Sequence, residues 1–109
     1  MVSMAINKGA AHAPIPTRTA RAGREIGDHL RTWRKLQGLT AEQVADRAGI
    51  TRGTLRRLET GEVAVRLETF LNVARVLGVL DRIPPALDPY ETDLGRARAG
   101  ELLPQRVRR

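Results

Sequence analysis

From about residue 26 to residue 83 the apolar positions recur with helical spacing, and no segment alternates as a strand would. Ile26, Leu30 and Trp33 share one face of a first helix, with Leu36 near its edge and Gly38 as a C-terminal stop. Thr40 opens a second helix, and Gln43, three residues on, completes the sequence signature of a capping box. Val44, Ala45 and Ala48 point inward from it, and Gly49 ends it. Thr51 caps a third helix from Arg52 to about Thr60, with Leu55 and Leu58 inward and Gly61 as stop. Leu67, Phe70, Leu71, Ala74 and Leu77 form the apolar stripe of a fourth, closed by Gly78. A short fifth helix is expected over Val79–Ile83, halted by Pro84. The fold class that follows is all-α: five short helices on one core.

Composition sets the limits of this unit. With 109 residues there is room for one small domain and its tails. Residues 1–22 are short of large apolar side chains and read as a disordered basic arm, with Lys8, Arg18 and Arg21 and no acid. The arm is a solvated leader, with contact to the phosphates of a polyanion as its alternative. Residues 23–83 form the domain. Residues 84–109, broken by Pro84, Pro85 and Pro89, form a tail suited to a dimer or partner contact, with Arg106, Arg108 and Arg109 at its end. The absence of cysteine excludes disulfides and thiolate metal sites. No apolar run approaches the roughly 18 residues that span a bilayer, and no secretory signal is evident, so a cytoplasmic protein is expected.

Charge narrows the partner. The formal net charge is +7, and all but Lys8 and Lys35 of the 19 basic residues are arginine, whose planar fork suits phosphates and guanine edges. The stretch Thr40–Gly61 holds two short capped helices joined through Ala48-Gly49-Ile50-Thr51. Such a pair places its second helix for the major groove of a duplex. With Leu55 and Leu58 inward, the other side of that helix presents Gly53, Arg56, Arg57 and Thr60, with Arg52 and Thr54 on its edges. Arginine pairs bidentately with guanine, and threonine touches base edges or a thymine methyl. Thr40, Thr51, Arg52, Gly53, Thr54, Arg56, Arg57 and Thr60 are therefore the candidate DNA-binding residues.

The runs Leu39-Thr40-Ala41-Glu42-Gln43-Val44-Ala45-Asp46-Arg47-Ala48-Gly49-Ile50-Thr51, Thr54-Leu55-Arg56-Arg57-Leu58-Glu59-Thr60-Gly61 and Leu71-Asn72-Val73-Ala74-Arg75-Val76-Leu77-Gly78-Val79 occur in this order. Together they resemble the lambda-repressor-like, or Xre and Cro/C1 type, helix-turn-helix family over about residues 26–80. The resemblance implies a compact five-helix domain that binds double-stranded DNA, commonly as a two-fold dimer on a palindromic operator. It also implies a partly buried ion pair between Arg34 and Glu59. Two positions depart from the pattern. Ala41 stands where the family often has glutamine, a common backbone anchor, and Gly53 stands where many members carry a base-reading side chain. Gly53 admits two readings, close approach of DNA to bare backbone or drift at an uncontacted position.

No enzyme constellation is present, and no cofactor or metal site is expected. His12 falls in the arm, and His29 beside Asp28 forms no dyad because adjacent helical residues face apart. The expected function is a sequence-specific transcriptional repressor. Its alternatives are an antitoxin, whose tail would dock on a toxin through Tyr90, Leu94, Leu102 and Leu103, and a protein-interaction module without DNA binding. One short recognition helix reads too few base pairs to mark a unique site, so a homodimer is expected. Val73, Val76, Val79, Leu80 and Ile83, apolar and not all required inside, are its candidate interface; capping of a small core is their alternative role.

Overall fold

A computed structural model describes the backbone of residues 14–107 and the side chains of residues 14–102. Residues 1–13 of the expected arm, with Lys8 and His12, lie outside the described residues, as do the side chains of Leu103, Arg106, Arg108 and Arg109. Among the described residues the chain is all-helical, without strands. The order is α1 (Thr17–Leu36), α2 (Ala41–Ala48), α3 (Arg52–Glu59), α4 (Leu67–Val76), a 3-10 turn at Leu80–Arg82, α5 (Ile83–Ala86), a second 3-10 turn at Pro89–Glu91, and α6 (Asp93–Val107).

Leu30, Val44, Ala45, Ala48, Leu55, Leu58, Val73 and Leu77 form the core, with Trp33, Ile50, Val65 and Phe70 packed around it. α1 rests on α3, and α2 lies between α3 and α4. The caps form as the sequence requires. Thr40 Oγ1 accepts from the Gln43 amide at 3.0 Å, and Gln43 Oε1 accepts from the Thr40 amide at 2.9 Å. Gly49 takes φ 73°, ψ 31°, a left-handed conformation that a side chain would disfavour, and turns the chain from α2 toward α3.

Four expectations change. First, α1 begins at Thr17, so residues 17–22 are helix rather than part of a disordered arm. The contact that orders this end is made by small residues. A Cβ on Gly27 would stand 2.6 Å from the carbonyl oxygens of Leu58 and Glu59, and one on Gly23 would stand 2.5 Å from Val63 Cγ1. Backbone thus meets backbone where α1 crosses α3. The contact needs no large apolar side chain, and Ile26, expected inside, is 42% exposed.

Second, the buried face of α4 is turned relative to the expected stripe. Thr69, Val73 and Ala74 are buried, Leu71 is half-buried, and Leu67 is 67% exposed. Val73, assigned to a dimer surface, is fully buried and belongs to the core. Val76 and Val79 also pack against that core, and Leu80 and Ile83 are half-buried.

Third, Pro84 does not stop a helix. Residues Val79–Arg82 pass through a 3-10 turn, and Pro84 and Pro85 sit in the first turn of α5, where a missing amide costs no hydrogen bond. Fourth, the tail carries the helix α6. Thr92 Oγ1 accepts from the Gly95 amide at 3.0 Å, and Arg96 donates to the Tyr90 carbonyl and to Asp93. α6 leans on the Pro89–Glu91 turn, and Leu94 and Leu102 on it remain exposed.

Candidate nucleic-acid interface

α3 is an eight-residue helix held from below. Leu55, 1% exposed, and Leu58 anchor its inner side. Its start is fixed by Thr51, whose Oγ1 accepts from the Thr54 amide at 3.0 Å. Its end is fixed by Glu59. Arg34 Nε and Nη2 on α1 donate to the two Glu59 carboxylate oxygens at 2.8 and 3.0 Å, a planar bidentate pair. Arg34 Nη1 also donates to the Leu39 carbonyl at 3.2 Å, so one guanidinium joins α1, the entry to α2, and α3. The hydrogen bond to Glu59, opposed by partial burial and helped by the carboxylate charge, holds this guanidinium above its ordinary pKa. The two side chains are 13% and 10% exposed. The pair thus ties the end of α3 to α1.

With the inner side fixed, each further residue turns by roughly 100° about the axis. Gly53 and Thr60 then mark the crest, Arg52 and Arg56 the flank toward α1, and Thr54 and Arg57 the opposite flank. Gly53, Arg52, Arg56, Arg57 and Thr60 are exposed, and Thr54 is half-buried. The structure thus brings six of the eight candidate residues onto one convex strip. Thr51 lies at its start, and Thr40 stands apart at the head of α2, its oxygen engaged in the capping box.

The hydroxyls are partly committed. Thr60 Oγ1 donates back to carbonyls of its own helix at 2.9 Å to Arg56 and 3.1 Å to Arg57, and Thr51 donates to Thr54 Oγ1 at 3.0 Å. Their methyl groups and remaining lone pairs are what they can offer a base. Arg57 is tethered as well, within 3.9 Å of Glu62 and 3.4 Å from Thr54 Oγ1. Arg52 and Arg56 make no ion pair among the described residues.

Two contributors had no place in the sequence reading. Gln37 Nε2 donates to the Leu77 carbonyl at 2.7 Å and so closes the C-terminus of α4 from the end of α1. Arg31 lies three residues before Arg34, a spacing that puts both on one face of α1, and the structure brings it to the edge of α3. Among the described residues no group of three or more His, Cys, Asp or Glu is placed to hold a metal ion, and no helix is long and apolar enough to cross a membrane.

A protein-family profile described as a helix-turn-helix domain matches residues 25–83, more than half of the chain and all of α2, α3 and α4. An uncharacterized HTH-type transcriptional regulator of Methanothermobacter thermautotrophicus is 43% identical over 49 residues, which are 45% of this chain and 71% of that protein. No solved structure matches. The domain matched by sequence is the one that folds around the Arg34–Glu59 pair and displays the arginines of α3, and the chain belongs to this helix-turn-helix domain family.

Proposed function

We propose that this protein is a sequence-specific transcriptional regulator of the cytoplasm, associated with the nucleoid when bound, that represses by occupying a palindromic operator as a homodimer. The observation that carries the reading is the strip on α3: Arg52, Arg56 and Arg57 exposed around Gly53, on a helix whose other side is locked into the core. A helix held rigidly from below with exposed guanidinium groups suits both the guanine edges of a major groove and the phosphates that wall it. The relative's name, an HTH-type transcriptional regulator, supports the same role. Dimerisation rests on the need to read two half-sites roughly 34 Å apart. With Val73 withdrawn into the core, its surface reduces to Val76, Val79, Leu80 and Ile83, beside Leu87, which is 77% exposed.

The test begins with selection of bound sites from a random duplex pool. The folded Arg52→Ala, Arg56→Ala, Arg57→Ala triple variant should lose the selected site. If it binds as tightly as the parent, the assigned surface is wrong. Sedimentation with a palindromic selected site should show two chains per duplex, reduced to one by a folded Leu80→Asp with Leu87→Asp variant, whose positions lie outside the core cluster. A 1:1 complex at saturating parent protein refutes the dimer. No binding of any duplex by the parent, even near 50 mM salt where phosphate contacts are strongest, would return the chain to the protein-interaction reading.

A further inference from the structure

Between α1 and α3 lies an open cleft of about 610 Å³ whose walls carry Arg31, Arg34, Arg52 and Arg56, with Gly53 at the rim. The acid among its lining residues is Glu59, and both carboxylate oxygens are held by Arg34. Arg31, Arg52 and Arg56 are exposed and make no ion pair among the described residues. Three arginines without an ion pair among the described residues therefore line one concavity, and the acid of its lining is already held by Arg34.

The position of the cleft says which anion it meets. A helix with side chains is about 10–12 Å across and fills a major groove about 12 Å wide. When the crest of α3 faces the base edges, its flanks face the groove walls, which are sugar-phosphate strands. Arg31 stands on the neighbouring helix α1, on the side of α3 that faces a groove wall. Gly53 supports the same docking. Its φ is not positive, and a Cβ there would have Thr51 Oγ1 at 3.8 Å as its nearest neighbour, so nothing in the fold asks for glycine. A bare position at the rim keeps the mouth of the cleft open.

We propose that Arg31, together with Arg52 and Arg56, forms a clamp for a phosphodiester of the strand that walls the groove. This rests on the DNA-binding reading and assigns to α1 a contact outside the helix-turn-helix pair. Arginines lining one cleft suit a phosphate, whose oxygens each accept more than one hydrogen bond from a planar fork. Because the ligand is backbone, the clamp adds affinity on every sequence and positions α3 without reading a base.

The test measures binding of Arg31→Ala and Arg31→Lys to a labelled random-sequence duplex and to a selected site across a salt titration. Arg31 is exposed and makes no ion pair among the described residues, so both variants should melt with the parent. Arg31→Ala should bind both duplexes about tenfold more weakly, and its slope of log affinity against log salt should shrink by about 0.9. Arg31→Lys should keep the parent's slope while binding less tightly, because it retains the charge and loses the fork. An unchanged slope in Arg31→Ala, or a loss confined to sites with one particular base pair, overturns the clamp while leaving DNA binding intact. Arg31-dependent affinity for inorganic phosphate with an unchanged duplex slope would assign the cleft to a free anion and overturn it too. Failure of the parent to bind any duplex removes the reading on which the clamp depends, and the clamp with it.

Discussion

Gly53→Ala separates what the fold needs from what the ligand needs. Inside an eight-residue helix glycine is about 0.5–1 kcal/mol less favourable than alanine, because it surrenders more backbone freedom on folding. The added methyl meets nothing closer than 3.8 Å, and the backbone is ordinary right-handed helix, so no strain offsets the gain. For a domain of this size a stabilisation of that order raises the melting temperature by roughly 2–8 °C. The DNA side has the opposite sign. If the duplex approaches the bare crest, a methyl there is overpacked against a base or sugar at about 1–3 kcal/mol, a loss of affinity of about 5- to 140-fold. The assays are thermal melting followed by circular dichroism and fluorescence anisotropy with a labelled selected site. The expected result is a more stable protein that binds DNA less well. A lower melting temperature would refute the open environment of residue 53. A raised melting temperature with unchanged affinity would refute close approach of DNA to the crest.

Arg34→Ala and Glu59→Ala should each destabilise the fold by about 3–5 kcal/mol, since either leaves a partly buried charge without its partner; the double variant should cost no more than one single, and additive sub-kilocalorie losses in a denaturant cycle would contradict the pairing. Because hydrogen bonding to Glu59 raises the Arg34 pKa, arginine's contribution is complete below the unfolded value and is lost only as pH climbs through the folded one in strong alkali; a stability curve that loses this coupling near neutral pH through Arg34 would refute the assignment. Leu55→Ala should lower stability by about 2–5 kcal/mol and abolish DNA binding at the temperature where it unfolds, whereas a loss below 1 kcal/mol in urea titration would place Leu55 outside the core.

The helix-turn-helix was legible because its signals are local and agree with one another. Thr40 and Gln43, Gly49, Thr51, and the pair Leu55 and Leu58 each specify a cap, a turn or a face within a few residues. Where neighbours distant in sequence decide the outcome, the pattern misled. The α4 stripe offered two overlapping apolar faces, and the choice of Val73 over Leu67 is made by packing against α2, not by spacing on α4. The start of α1 was lost because its contact face is written in Ala20, Gly23 and Gly27, residues that composition counts as weak; their helical spacing onto Leu30 was the available signal. Pro84 and Pro85 read as a break because proline ends helices in their interior, yet the same residues are at home in a first turn. On the candidate site, the outward projection of Arg52, Gly53, Arg56, Arg57 and Thr60 needed only the period of the helix. The approach of Arg31 needed the crossing of α1 over α3.

That crossing gives the domain two opposite kinds of mutational sensitivity. At Val44, Leu55 and Val73, injury comes from taking atoms away and opening a void. At Gly23 and Gly27 it comes from adding them, since a single methyl at position 27 must displace the backbone of Leu58 and Glu59. An alanine scan, designed to find contacts by deletion, would here find one by insertion. What gives way is the angle and spacing between α1 and the helix that carries Arg52, Arg56 and Arg57, so a buried glycine one turn before Arg31 sets how far Arg31 stands from them. Bulk gained at position 27 would redraw that distance with every charged side chain still in place.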